Sequence, residues 1–211
     1  MTGQASILDI ETRPDPEIAE SVDWWTRIRD KIEAPSNYKD PVKIEGYRDK
    51  ELLKAREKMA LSARTGLVAM IGTEDFRNGD QRIHTNESLD RDGEKKALLE
   101  WIEYMPDTSR LIGWNHAAFD MPFLAGRCML HGIDLPHWWP SPRDYRKVVD
   151  LMLLFGGSLE DWRFLLRGEW KDIGSRDTLT VSIEELEKHL RDDLRDTGDI
   201  ARLSESAWRN R

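Results

Sequence analysis

The chain has a single cysteine, Cys128, in 211 residues. That excludes a disulfide framework and a thiolate zinc cluster, and in the setting "AGRCMLHGI" the residue reads as a small buried hydrophobe. No apolar run approaches the roughly 18 residues of a membrane span, and no signal-peptide pattern precedes the first strand-like segment. A soluble, cytoplasmic protein with no membrane partner is expected. Long Gly/Ser or Pro linkers, internal repeats and low-complexity tracts are also missing. A single domain over residues 1–211 follows, with a helical insertion at about residues 15–60. Positive charge is scarce, with 32 Lys and Arg against 40 Asp and Glu and a net charge of −8. This excludes binding of nucleic acid through a generally basic surface, but not local action on it, because a carboxylate-rich metal site is itself negative. His84, His116, His131 and His137 show no paired ligand spacing and are assigned no chemistry.

The segments that are present alternate in period. Ala5 to Thr12 reads as a strand, followed by short helices and loops, then a charged helix from Val42 to Ala60. "TGLVAMIGTED" and "QRIHTN" read as an antiparallel pair, "ESLDRDGEKKALLEWIEYM" as a helix with Leu98, Leu99, Ile102 and Met105 inward, and "RLIGWN" as a fourth strand. "MPFLAGRCMLHGI" is a helix, "KVVDLMLLF" a strand running into a helix, "SLEDWRFLLRG" a helix, and Ser182 to Ser204 one long helix. Hairpin-ordered strands followed by alternating strands and helices imply an α/β fold, a mixed five-stranded sheet with helices on its faces.

Within this frame, acids stand where acids are costly. Asp9 and Glu11 lie two apart in the apolar strand "SILDIETRP", so both carboxylates point to one face. Paired acids on a core strand repel and resist desolvation, which implies a cationic ligand. Three other Asp-x-Glu pairs, Asp15/Glu17, Asp49/Glu51 and Asp92/Glu94, sit in charged segments and read as solvated surface. In "LIGWNHAAFDMPFL" Asp120 falls at a helix N-terminus with Pro122 in the first turn, where capping is the ordinary role. Along the last helix, Asp193 falls within about 50° of the apolar stripe, whereas Asp192, Asp196 and Asp199 lie roughly 110 to 170° away, on a face read as solvated. His189 is one turn before Asp193 at the stripe's edge. If these segments converge, four carboxylates without a thiolate suit Mg²⁺ or Mn²⁺, the usual machinery for hydrolysing a phosphodiester with two ions.

"DIET", "NHAAFD" and "HLRDDLRDT", in this order, together resemble the three motifs of the DEDD, or DnaQ-like, superfamily of 3′-5′ exonucleases, which have a ribonuclease H-like fold. With "FDMPFL" and Thr197 four residues after Asp193, the look is closest to the exonuclease domains of family B DNA polymerases, here expected as a free-standing enzyme. The resemblance implies a metal-dependent exonuclease acting on the 3′ end of DNA, single-stranded in the first instance, with RNA as the alternative. It implies two divalent cations, Mg²⁺ or Mn²⁺, with Asp9 serving both, Glu11 and Asp193 completing one, and Asp120 serving the other. Thr12, Asn115 and Phe119 would position substrate. The third motif in the family carries a tyrosine four residues before its aspartate or a histidine five before. Here His189 stands four before Asp193, and it is the candidate general base. The competing readings are a nucleic-acid-binding or scaffold protein of the same fold that has lost catalysis, and a metal-dependent endonuclease or RNase.

Two further features have plainer readings. Trp24/Trp25 and "HWWP" are placed in loops, with packing favoured over base stacking, and the lysines of the inserted helix, interleaved with glutamates, read as a solvated face. Asp150, after "RKVV", reads as a helix cap.

Overall fold

The computed structural model describes residues 4–105, 110–141, 143–144, 146–170 and 181–208. Its centre is a five-stranded mixed sheet in the order β3-β2-β1-β4-β5. β1 (Ala5–Pro14) pairs antiparallel with β2 (Gly66–Asp75), and β2 antiparallel with β3 (Gln81–Thr85). β4 (Arg110–Gly113) lies parallel to β1, and β5 (Val148–Asp150) parallel to β4. β1 runs two residues beyond the expected Thr12, and its register against β2 shifts between Glu11 and Thr12. Such bulges re-aim side chains, and this one immediately follows the paired acids.

Alternation along β1 divides the core. Ile7 faces one layer, which is formed by α6 (Leu151–Phe155), α7 (Leu159–Arg167), α8 (Ile183–Leu203) and α9 (Glu205–Trp208). Leu8 and Ile10 face the other, formed by α4 (Arg91–Tyr104) and α5 (Asp120–Leu130). Leu98 of α4 and Met105 just beyond it are buried and Ile102 packs partly buried on the core, as expected, whereas Leu99 is exposed and Glu94, Ala97 and Trp101 complete the inward side. Cys128 is fully buried, as expected of a small hydrophobe.

α8 approaches the sheet closely. Gly72, the partner of Asp9 across β1 and β2, receives Leu194 and Leu190 of α8, and a Cβ there would stand 2.7 Å from Leu194 Cδ1. Ser182 and Glu185 cap the helix reciprocally, each side chain accepting the other's backbone N–H, at 3.2 and 3.1 Å.

α1 (Pro16–Ala19), α2 (Val22–Asp30), α3 (Pro41–Glu57) and a 3₁₀ turn (Met59–Leu61) lie between β1 and β2. Trp24 and Trp25 are on α2 rather than in a loop. Trp25 is buried, its indole N–H donating to Ala19 O at 3.0 Å, while Trp138 and Trp139 pack edge-on against Trp101. These rings fill the structure rather than offering stacking platforms. Among the described residues no helix is long and apolar enough to cross a membrane.

Two groups of acids expected on the surface are buried. Glu94 accepts from Arg127 at 2.5 Å, from His131 at 2.7 Å and from the Val68 N–H at 2.6 Å, and Arg127 also reaches Asp15 at 3.3 Å. Asp196 is 3 % exposed and pairs with Arg163 and Arg167 of α7, at 3.6 and 3.0 Å. The helix wheel measured one packed side of α8, and α7 supplies a second. Asp192 remains half-buried beside Arg195, and Asp199 is held between Arg167 and Arg202.

Candidate active site

β1 contributes Asp9, Glu11 and Arg13 on one face, the face that α8 covers. Glu11 Oε1 and Asp193 Oδ2 each lie 3.7 Å from His189 Nε2. One ligand atom from each of Glu11, His189 and Asp193 falls within 4.8 Å of the others. The i,i+4 spacing of His189 and Asp193 brings both side chains to one side of α8, and all three residues are buried.

Asp120 enters from the other layer. It is the first residue of α5 and not its cap, since Phe119 occupies the cap position without a side-chain bond. Its Oδ1 accepts the Ile10 N–H at 3.0 Å, which fixes it to β1 between the two acids, and its carboxyl is hydrogen-bonded to the side chain of Asp9. Burial pushes this carboxyl up to about 7, against hydrogen bonds from its own backbone, from Ile10 and with Asp9 that favour the charged form. Two carboxyls can share a hydrogen bond only while one keeps a proton. A cation relieves the same repulsion without one, so the Asp9/Asp120 contact and the Glu11/Asp193/His189 cluster fit a donor set for hard divalent ions.

The residues expected to position substrate have structural partners as well. The Thr12 hydroxyl donates to Ala60 O at 2.7 Å and is buried, which ties the inserted segment to the strand beside the acids. Phe119 packs against Phe123 with ring centroids 5.6 Å apart. Asn115 is half-buried and adopts φ 60°, a left-handed conformation tolerated by asparagine at a tight turn.

Two residues of the site escaped the sequence reading. Asp150 caps α6 as expected, at 3.1 Å from Met152 N, but it also accepts the N–H groups of Asn115 at 3.1 Å and Ala117 at 3.0 Å. It therefore shapes the loop that leads into Asp120. Arg13 donates to Val181 O at 2.7 Å just before α8, and lies close enough to Glu11 to sense its charge. Its position on the acid-bearing face of β1 was the available signal.

Residues 66–149 match the family model described as a predicted 3′-5′ exonuclease related to the exonuclease domain of PolB. The family B DNA polymerase from the hyperthermophilic archaeon Pyrobaculum calidifontis is similar in structure, with a TM-score of 0.56 and 16 % identity over 97 % of this chain and 25 % of that one. The chain resembles the exonuclease domain of family B DNA polymerases. It spans about a quarter of the length of that polymerase. At this identity the likeness shows the fold, a mixed five-stranded α/β sheet of the ribonuclease H-like kind. The family match includes Asn115, Phe119 and Asp120; Asp9 and Glu11 lie before it, and His189 and Asp193 after it. Curated protein sequences give no match.

The loop between β4 and α5 carries a buried titratable group, His116, whose ring packs against Gly113. Burial pushes its imidazole down to about 4, outweighing the nearby Asp150 charge and the Gly113 backbone. The unfolded chain, with an ordinary pKa near ~6.5, then takes up a proton that the folded chain refuses. Stability from this site is complete above ~6.5 and falls as pH drops toward 4. Urea unfolding of wild type and His116→Leu at pH 7 and pH 5 isolates the effect, since the Asp120 carboxyl is common to both proteins. Wild type should lose about 2 kcal/mol more than the variant between these pH values. Equal losses would show that His116 is protonated in the fold.

Proposed function

We propose that the chain is a metal-dependent 3′-5′ exonuclease that releases nucleotides from the 3′ end of single-stranded DNA. The observation that carries this reading is that β1 meets α8 at Glu11, His189 and Asp193 and meets α5 at Asp9 and Asp120, elements far apart in sequence that bring their acids to one strand. The likeness to the PolB exonuclease domain supports it independently of that geometry. Against a scaffold that has lost catalysis stands the retention of all four acids, Glu11 and Asp193 gathered about His189 and Asp120 in contact with Asp9, a desolvated arrangement with little purpose unless cations bind.

Asp9 would serve two divalent cations, Mg²⁺ or Mn²⁺, with Glu11 and Asp193 holding one and Asp120 the other. Bound there, the ions would supply Lewis-acid activation of water and stabilisation of the leaving oxygen. The chain's own groups do the rest. His189 Nε2, between Glu11 and Asp193, takes the proton from the attacking water as general base, which a neutral imidazole can do near pH 7. Asp150 fixes the loop so that Asn115 and Phe119 meet the terminal nucleotide. Thr12 acts through its bond to Ala60, anchoring the inserted segment next to the acids.

Incubation with 5′-labelled single-stranded DNA and Mg²⁺ or Mn²⁺ should give a ladder shortening from the 3′ end, abolished by a chelator and by Asp193→Asn, with Asp192→Asn near wild type. A ladder that survives chelation or runs from the 5′ end, or cutting of circular substrate, would contradict the assignment. His189→Ala should lower the rate by about 10² to 10⁴ while retaining Mn²⁺ affinity, the scale of general-base loss. A parallel fall in Mn²⁺ affinity would instead make His189 a ligand.

A further inference from the structure

α3 segregates its charges. Glu45 and Asp49 face α2, where both pair with Arg29, and Glu45 also pairs with Arg48 at 2.9 Å. Lys43, Tyr47, Lys50 and Lys54 recur at helical spacing on the opposite side, within about 60° of one another around the axis. With Lys39 and Tyr38 from the preceding loop they line a groove of about 860 Å³. The acids in its wall are accounted for, since Asp40 caps α3 at 2.9 Å from Val42 N and Glu51 pairs with Lys54 at 2.6 Å. Tyr38 and Tyr47 meet edge to face with centroids 5.9 Å apart, and Gly46 forms an open floor, with nothing within 4 Å of where its Cβ would stand. The interleaving of lysines and acids in sequence conceals this sorting, which leaves a basic, aromatic-lined trough on a chain of net charge −8.

We infer that this groove binds the phosphate backbone of a single-stranded polynucleotide, upstream of the 3′ end held at the carboxylate site. The inference rests on the nuclease reading for the identity of its ligand. Lysine ammonium groups in a row suit successive phosphates, and the exposed ring of Tyr38, backed by the half-buried Tyr47, offers a stacking face that tolerates any base. The chain itself leads from the groove to the strand that carries the site. α3 leads through the 3₁₀ turn to Ala60, whose carbonyl takes the Thr12 hydroxyl next to Glu11. Lys54, the groove lysine nearest in sequence, lies roughly 10 Å from Ala60 along the helix and turn. The remaining lysines extend away along a helix of 17 residues, about 25 Å long. A dinucleotide at the carboxylates is too short to enter, whereas a longer strand runs into it.

The test is fluorescence anisotropy with labelled oligo(dT) in the presence of a chelator, which prevents cleavage, over a range of salt. The triple variant Lys39→Gln/Lys43→Gln/Lys50→Gln should bind about 10- to 100-fold more weakly at 0.1 M salt, and its salt slope should fall by about 2, the release expected from three phosphate contacts on a single strand. Gly46→Glu should weaken binding and Gly46→Lys strengthen it, both on a helix that gains a better helix former. Cleavage of a dinucleotide with Mg²⁺ should be unchanged in all three. Unchanged affinity and slope in the triple variant, or no binding of oligo(dT) by wild type, would overturn the groove assignment. A wild type that binds in this way but never cleaves would overturn the nuclease reading and leave the groove standing.

Discussion

The close seating of α8 on the sheet at Gly72 is the constraint from which the site follows. With no side chain opposite Asp9, β2 admits Leu190 and Leu194 to van der Waals distance, and the helix turn between them carries Asp193 over Glu11. A larger residue at 72 would lift α8 from β1 and separate His189 from Glu11 by the same displacement. Further along, Gly198 admits the buried Glu74, which pairs with Arg202 at 2.9 Å and again ties α8 to β2. Because interiors are close-packed, these contacts set the height of the helix to within a fraction of an ångström. Carboxylates that must share a cation need that precision.

Buried ion pairs then hold the surrounding elements in place. Removing one partner of such a pair leaves an uncompensated charge and costs about 3 to 5 kcal/mol, although the intact pair adds little net stability. Glu94 and Arg127 join α4 to α5 and, through Asp15, to the end of β1, so they fix the layer that delivers Asp120. Asp196, with Arg163 and Arg167, clamps α7 on the outer side of α8. Both clusters lie outside the site and keep its two walls at a fixed separation. The Ile10 N–H bond to Asp120 closes this arrangement at the strand itself.

What could be read from the sequence was local periodicity. Alternation placed Asp9 and Glu11 on one face of a strand, and the 3.6-residue period separated Asp193 from Asp192. The element order and the five-stranded sheet followed from the same two periods, and the likeness to the PolB exonuclease domain rests on short motifs that fall on these elements. What could not be read was partnership at long range. Asp15 and Glu94 looked solvated because their cation, Arg127, stands 112 and 33 positions away. Asp196 looked solvated because a helix wheel records one packed side. Asp120 could be placed at the start of a helix, but not its donor, the Ile10 N–H, which lies 110 residues earlier. The sorting of α3 charges depended on Arg29 from another helix.

The central claim is that the carboxylates of β1, α5 and α8 form one binding site for divalent cations. Anomalous diffraction from crystals soaked in Mn²⁺ tests this most directly, because it locates the metal without reference to activity. The account predicts anomalous peaks bounded by Asp9, Glu11, Asp120 and Asp193, with metal–oxygen distances of about 2.0 to 2.3 Å. Peaks only at surface acids such as Asp192 or Asp199, with none at the four carboxylates, would contradict it.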